Sequence, residues 1–185
     1  MTKKVLLNVD YTNDFIAEDG ALTCGKPGQE IEEYIVSITK QFIDNKDEVV
    51  FAIDGHLEND TYHPETKLYP PHNIVGTAGR ELYGELRHVW EENKEKPNVH
   101  WMDKTRYSAF VGTNLELMLR ERDIREIHIV GCCTDICVLH TAVDAYGKGF
   151  EIVIHEKGVA SFNQKGHEWA LDHFVNCLNA KVVKN

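Results

Sequence analysis

Residues able to do nucleophilic and metal chemistry cluster in two stretches of this chain. The first is Gly131-Cys132-Cys133-Thr134-Asp135-Ile136-Cys137-Val138. It follows an apolar run at 126–130 that reads as a buried strand. It precedes a segment of helical period carrying Val138, Thr141, Ala142 and Ala145. Cys137 therefore falls where a strand turns into a helix. Free N–H groups and the positive end of the helix dipole favour a thiolate there, so Cys137 is a candidate nucleophile. The competing reading is a small buried apolar residue, the usual fate of a free cysteine. The second stretch runs from Asp54-Gly55-His56 through His63 and Glu65 to His72, which follows the rigid Pro70-Pro71. Residues i and i+2 of an extended chain point to the same side, so Asp54 and His56 can reach one ion. Two or three imidazoles with carboxylates suit a borderline divalent ion such as Zn²⁺, Mn²⁺ or Fe²⁺. A rival is a structural zinc on Cys132, Cys133, Cys137 and His140, although adjacent cysteines at a strand end lack the C-x₂-C loop geometry.

The elements that must position these groups alternate in type. Strands are expected at 5–10, 48–53, 99–102, 126–130 and 150–155, with a short edge strand at 180–183. Helices are expected at 30–45, within 77–93, and at 114–122, 134–147 and 164–178. The first of these carries Ile31, Ile35, Ile38 and Phe42 on one stripe. Such alternation predicts an α/β fold of three layers, α/β/α, around a central, mostly parallel sheet. Residues 55–76 break the alternation, and a loop of that length in a compact domain is usually functional.

In an open parallel sheet, ligands bind outside the carboxyl ends of the strands. Asp10 follows the first strand, Asp54 and His56 the second, Lys104 the third and the Cys133–Cys137 turn the fourth. An acid, a lysine, a cysteine and a metal-type pair thus reach one edge from four strands. Each also has a plainer reading: Asp10 as a solvated strand-end carboxylate, Lys104 as a surface lysine, Asp54 and His56 as ordinary loop groups.

The chain has 185 residues and a formal net charge of -10. That length suits one domain, residues 1–185, with a proper core. The charge argues against nucleic acid or an anionic membrane as partner and leaves small neutral or cationic ligands open. The five cysteines are odd in number and three are clustered, and no secretory leader is read at the N-terminus. Both points favour a reducing cytoplasm over a disulfide scaffold. No apolar run approaches membrane-spanning length. The oligomeric state stays open, a homo-oligomer included.

Five segments together resemble the isochorismatase-like cysteine hydrolases, and within them the nicotinamidases (pyrazinamidases). They are Asp10-x₃-Asp14-Phe15, Asp54-Gly55-His56, Pro70-Pro71-His72 followed by Gly76-Thr77, Lys104-x₂-Tyr107-Ser108-Ala109-Phe110, and Gly131-x₂-Thr134-Asp135-Ile136-Cys137-Val138. The resemblance spans nearly the whole chain. It implies Cys137 as nucleophile, Asp10 as acid–base and Lys104 as third catalytic residue. It implies a cis peptide between Cys132 and Cys133, which aims the N–H of Cys133, with that of Cys137, into an oxyanion hole. Asp54, His56 and His72 match metal ligands typical of nicotinamidases, a set that the wider superfamily generally lacks. The fourth ligand lies between His63 and Glu65. Glu65 is favoured, because it resembles the subgroup with a His-Pro-Glu segment ahead of Pro-Pro-His. Phe15, Tyr69 and Tyr107 match aromatic pocket positions, with Cys133 beside them. Asn73 departs from relatives that often carry cysteine there. The implied reaction is hydrolysis of nicotinamide to nicotinate and ammonia, extended to pyrazinamide, with one divalent ion, zinc first.

Overall fold

The computed structural model describes residues 3–184, so the ends of the expected domain span, residues 1, 2 and 185, lie outside it. Six strands form one sheet: β1 (Lys4–Val9), β2 (Glu48–Asp54), β3 (Val99–Lys104), β4 (Glu126–Cys132), β5 (Glu151–Ala160) and β6 (Lys181–Val183). Their order is β3-β2-β1-β4-β5-β6, and each pairing of neighbours is parallel. The helices are α1 (Asn13–Ile16), α2 (Lys26–Glu30), α3 (Glu32–Asp44), α4 (Gly84–Asn93), α5 (Leu115–Glu121), α6 (Leu139–Gly147) and α7 (Gln164–Leu178).

Alternation along the strands creates the three layers. Val5, Leu7 and Val9 of β1 point to the face covered by α5, α6 and α7, through Leu119, Ala142 and Phe174. Leu6 points to the other face, against Ile35, Ile38 and Phe42 of α3 and Leu86 of α4. Parallel strands buried on both faces read as continuous apolar runs, as β1 and β2 do.

The chain builds outward from β1 to β2 and β3, then returns to lay β4 on the other side of β1. The switch in direction opens a crevice at the carboxyl ends of β1 and β4. Gly131 permits that meeting. Its φ is +119°, and a Cβ there would stand 1.9 Å from the Val9 carbonyl oxygen.

Local structure departs from the sequence expectations in three places. The helix expected at 30–45 divides at Ile31, because Pro27 starts a separate short helix, α2, after the left-handed Gly25. The helix expected at 134–147 begins with a π-helical turn, Thr134–Val138, and only then becomes α6. Such turns are often found at functional sites. The strand expected at 150–155 continues to Ala160, where a register shift re-pairs Val159 and Ala160 with Gly131 and Cys132. The helix expected at 164–178 matches α7. Its Asn163 side chain caps the first turn by accepting from the Gly166 N–H, and Asn179 ends it at φ +50°. Among the described residues, no helix is long and apolar enough to cross a membrane.

Candidate active site

Asp10, Lys104 and Cys137 meet at the carboxyl edge of the sheet, each at most 4 % exposed. Asp54 and Lys104 are register partners across β2 and β3. Lys104 Nζ lies 2.6 Å from Asp54 Oδ1, 2.6 Å from Asp10 Oδ2 and 3.1 Å from the Arg106 carbonyl oxygen. Asp54 Oδ1 and the Arg106 carbonyl oxygen accept from the ammonium, and Asp10 pairs with it as a counter-charge. Asp10 Oδ1 accepts the main-chain N–H of Asp54 at 2.8 Å. Cys137 Sγ and one carboxylate oxygen each of Asp10 and Asp54 lie within 4.8 Å of one another.

Burial and the neighbouring Asp54 carboxylate raise Asp10 to about 7, against the pull of Lys104. A carboxyl near neutrality is suited to moving protons in both directions. Burial pulls Lys104 down, yet Asp10 and Asp54 outweigh it and hold the ammonium charged. Burial also drives Cys137 well above the usual thiol range, although Lys104 opposes it. Desolvation thus opposes the pull of the helix N-terminus on Cys137, and Asp10, a carboxyl able to take a proton, stands beside it.

A second cluster shares Asp54. One donor atom each from Asp54, His56, Glu65 and His72 lies within 4.8 Å of the others, and all four residues are buried. Asp54 Oδ2, His56 Nε2, Glu65 Oε1 and His72 Nε2 find no hydrogen-bond partner among the described residues. Four buried donors whose nearest polar partners are one another, two imidazole nitrogens and two carboxylate oxygens, are chemically matched to a divalent transition ion. His72 Nδ1 donates to the Pro70 carbonyl oxygen at 2.8 Å, which leaves the Nε2 lone pair free. A cleft of about 260 Å³ reaches His56, Glu65 and His72 from the loop side, an entry path for an ion.

His63 stands outside this donor set. Its Nε2 donates to the Thr105 carbonyl oxygen at 2.6 Å, its Nδ1 accepts the Glu65 N–H at 3.3 Å, and its ring packs 4.4 Å from that of His56. Both ring nitrogens are committed to the main chain. The alternative site on Cys132, Cys133, Cys137 and His140 is not assembled either. Cys132 and Cys133 group with Cys24, Cys137 groups with the carboxylates, and His140 Nδ1 donates to the Ile136 carbonyl oxygen.

A narrow cavity of about 20 Å³ opens over Cys137. Its walls include Phe15, Tyr69, Tyr107 and Cys133, together with Asp54, Glu65 and His72. Phe15 packs edge-on against His72 at 5.5 Å between ring centroids. The peptide between Cys132 and Cys133 is cis.

Several groups at the site were not read from the sequence. Leu22, Ile136 and the exposed Phe162 also border the cavity. Arg80 Nε donates to the Asp54 carbonyl oxygen at 2.6 Å, and its guanidinium pairs with Asp103. Asp14 Oδ2 accepts the Asn73 N–H at 2.7 Å, next to His72. Asn73 adopts φ +45°, a conformation asparagine tolerates, and its Oδ1 accepts the Thr12 hydroxyl at 2.9 Å. Asp14 was part of a recognised motif, but nothing in its spacing disclosed its tether.

The family model described as Isochorismatase domain matches residues 4–184, and the chain belongs to the isochorismatase family. Within that family, its similarity is strong to proteins of one activity. The crystal structure of nicotinamidase/pyrazinamidase PncA from Bacillus subtilis aligns with a TM-score of 0.98 at 63% identity, covering 99% of this chain and 100% of that one. The nicotinamidase SaPncA from Staphylococcus aureus aligns with a TM-score of 0.87 at 51% identity, covering 100% of both chains. The pyrazinamidase of Pyrococcus horikoshii, solved in complex with zinc, aligns at 0.86 and 26% identity, covering 99% of both chains.

Proposed function

We propose that this chain is a nicotinamidase that hydrolyses nicotinamide to nicotinate and ammonia through a thioester on Cys137, and that it deamidates pyrazinamide by the same route. The observation that carries this reading is the shared cavity. Cys137, which groups with the buried Asp10 and Asp54, lines it together with three of the four cluster residues, Asp54, Glu65 and His72. Similarity at 51–63% identity to nicotinamidases over the full chain supports the substrate class.

In this mechanism Asp10 takes the Cys137 proton, and the sulfur attacks the carboxamide carbon. The main-chain N–H groups of Cys133 and Cys137 receive the oxyanion. Asp10 returns the proton to the departing nitrogen, which leaves as ammonia. Water then attacks the thioester and gives up a proton to Asp10. Nicotinate departs, and the Cys137 thiol is restored. Lys104 holds Asp10 in place and offsets negative charge at each stage. Phe15, Tyr69 and Tyr107 flank the flat ring. Asp54, His56, Glu65 and His72 would hold one divalent ion, zinc by preference, which supplies Lewis acidity toward a ring-nitrogen or water lone pair. Every group named lies in one chain. The free thiols fit a cytoplasmic setting.

The test is ammonia release from nicotinamide by the purified protein, by Cys137→Ala, and by protein treated with a chelator and then resupplied with zinc. Turnover is expected in the first, none in the second, and loss followed by recovery in the third. A wild-type protein, shown by elemental analysis to carry its metal, that releases no ammonia overturns the reading.

A further inference from the structure

Cys24, Cys132 and Cys133 bring their sulfur atoms within 4.8 Å of one another, and the amide-hydrolysis mechanism uses none of these thiols. Their environments differ. Cys133 borders the cavity and is 4 % exposed. Cys24 stands behind it, 4 % exposed, with Sγ 3.4 Å from Cys133 Sγ. Cys132 is fully buried, and its thiol is directed to the Asp10 carbonyl oxygen at 3.3 Å.

We propose that Cys24 and Cys133 are a reversible oxidation site, closing to a disulfide when a hydroperoxide such as hydrogen peroxide enters the cavity. The main chain sets the pair. The Cys24 N–H donates to the Phe15 carbonyl oxygen at 2.7 Å, and the Cys133 carbonyl oxygen accepts from the Ile136 and Val138 N–H groups at 3.0 and 3.2 Å. A disulfide asks the two sulfur atoms to close by about 1.4 Å from their 3.4 Å separation. Hydrogen bonds with the neighbouring thiols of Cys132 and Cys133 hold Cys24 below the usual thiol range.

The chemistry balances with peroxide as the oxidant. The Cys133 sulfur attacks a peroxide oxygen, the O–O bond breaks, Cys133 becomes a sulfenic acid, and the Cys133 proton leaves with the departing hydroxide as water. The Cys24 sulfur then attacks the Cys133 sulfur, the S–O bond breaks, and the Cys24 proton leaves with the departing hydroxide as a second water. Two sulfur atoms have lost two electrons, and one peroxide has become two waters. An external thiol reverses the step by exchange. This site does not depend on the proposed amidase reading, because its readout is a covalent bond rather than turnover.

The experiment treats the whole native protein with hydrogen peroxide, caps remaining thiols with iodoacetamide and maps tryptic peptides without reduction. Trypsin leaves Cys24 on one peptide and Cys132, Cys133 and Cys137 together on another. The expected result is a cross-link between those peptides, assigned by fragmentation to Cys24 and Cys133 and removed by dithiothreitol. In Cys24→Ser the cross-link is lost, and Cys133 oxidises further to a sulfinic acid that dithiothreitol does not reverse. Cys24→Ala gives the same result if the serine variant fails to fold, as judged by circular dichroism. Exposed Cys177 reports that the oxidant acted. Oxidised Cys177 with no link between the two peptides overturns the proposal. So does a link from Cys24 to Cys132 or Cys137, or a bond confined to the second peptide.

Discussion

Asp54 and Lys104 face each other in register on adjacent parallel strands, and their side chains meet at 2.6 Å with Asp54 fully buried and Lys104 1 % exposed. A lysine in that setting is a structural demand as well as a chemical one. Removing one partner of a buried ion pair costs about 3–5 kcal/mol, because the other charge is left uncompensated. Lys104→Ala is therefore expected to lose activity and roughly that much stability. Lys104→Arg keeps the charge but not the fit, because a planar guanidinium needs a different space from the compact ammonium. It is expected to fold and to be nearly inactive. Urea denaturation and ammonia release on both variants check this. Wild-type values for Lys104→Ala would return the residue to a passive role.

Cys137→Ala is expected to abolish amide hydrolysis while leaving the urea midpoint close to wild type. Cys133→Ala should keep most of its turnover, because the mechanism draws on the main-chain N–H of Cys133 and not on its sulfur. Ammonia release on the two purified variants separates them. Equal loss in both would place the chemistry on the wrong sulfur.

Metal content distinguishes Glu65 from His63. Glu65→Ala and His72→Ala remove donors that have no other partner and should leave little bound metal. His63→Ala removes two main-chain hydrogen bonds beside the cluster and should weaken binding by about 10–100-fold or less. Elemental analysis after dialysis reads the difference. If His63→Ala empties the protein while Glu65→Ala does not, the donor set is wrong.

A buried histidine chain away from the site sets a pH dependence of folding. The Tyr34 hydroxyl donates to His155 Nδ1, His155 Nε2 to His128 Nδ1 and His128 Nε2 to Glu126, each at 2.8 Å. That arrangement is complete with both rings neutral. Burial, then His128, Lys4 and Lys181, lowers His155 to about 4. An unfolded histidine titrates near 6.5, so between these values the unfolded chain binds the extra proton. The stabilising effect is full above about pH 6.5 and is lost by about pH 4, at most about 3 kcal/mol from this residue. Urea midpoints at pH 7.5 and 5 should therefore differ less in His155→Gln than in wild type.

Selectivity should follow the ring nitrogen. Benzamide has the shape of nicotinamide without that lone pair and should lose at least about 1.4 kcal/mol in transition-state binding, roughly tenfold in kcat/KM. Isochorismate, a dianion, should not react beside a carboxylate-rich wall. Equal rates on benzamide and nicotinamide would show that nothing in the pocket reads the nitrogen.

The strand-end residues were legible because a parallel sheet collects whatever follows each strand. Asp10, Lys104, Asp54 and Cys137 could be placed at one edge from apolar runs alone. The choice between His63 and Glu65 was not legible by spacing, since both sit in one loop. It turns on where the His63 ring nitrogens find main-chain partners. Arg80 and Asp14 escaped because their work is to hold carbonyl and N–H groups of distant loops, which leaves no periodic trace. Cys24 escaped for a related reason. It is far from Cys133 in sequence, and only the packing of the segment ahead of α2 brings their sulfur atoms together. The π-helical turn was hidden because its residues suit an ordinary helix equally well.

Lys104 closes a strand that borders the sheet, since β3 has a strand neighbour on one side only. Border strands can open at lower free energy than the strands between them. If β3 frays, the pocket loses its cation while the rest of the sheet stands, and Asp10 and Asp54 are left to repel each other. Their attraction for Lys104 therefore acts as a latch on the border strand. The charge arrangement that serves the chemistry also decides how long that edge stays shut.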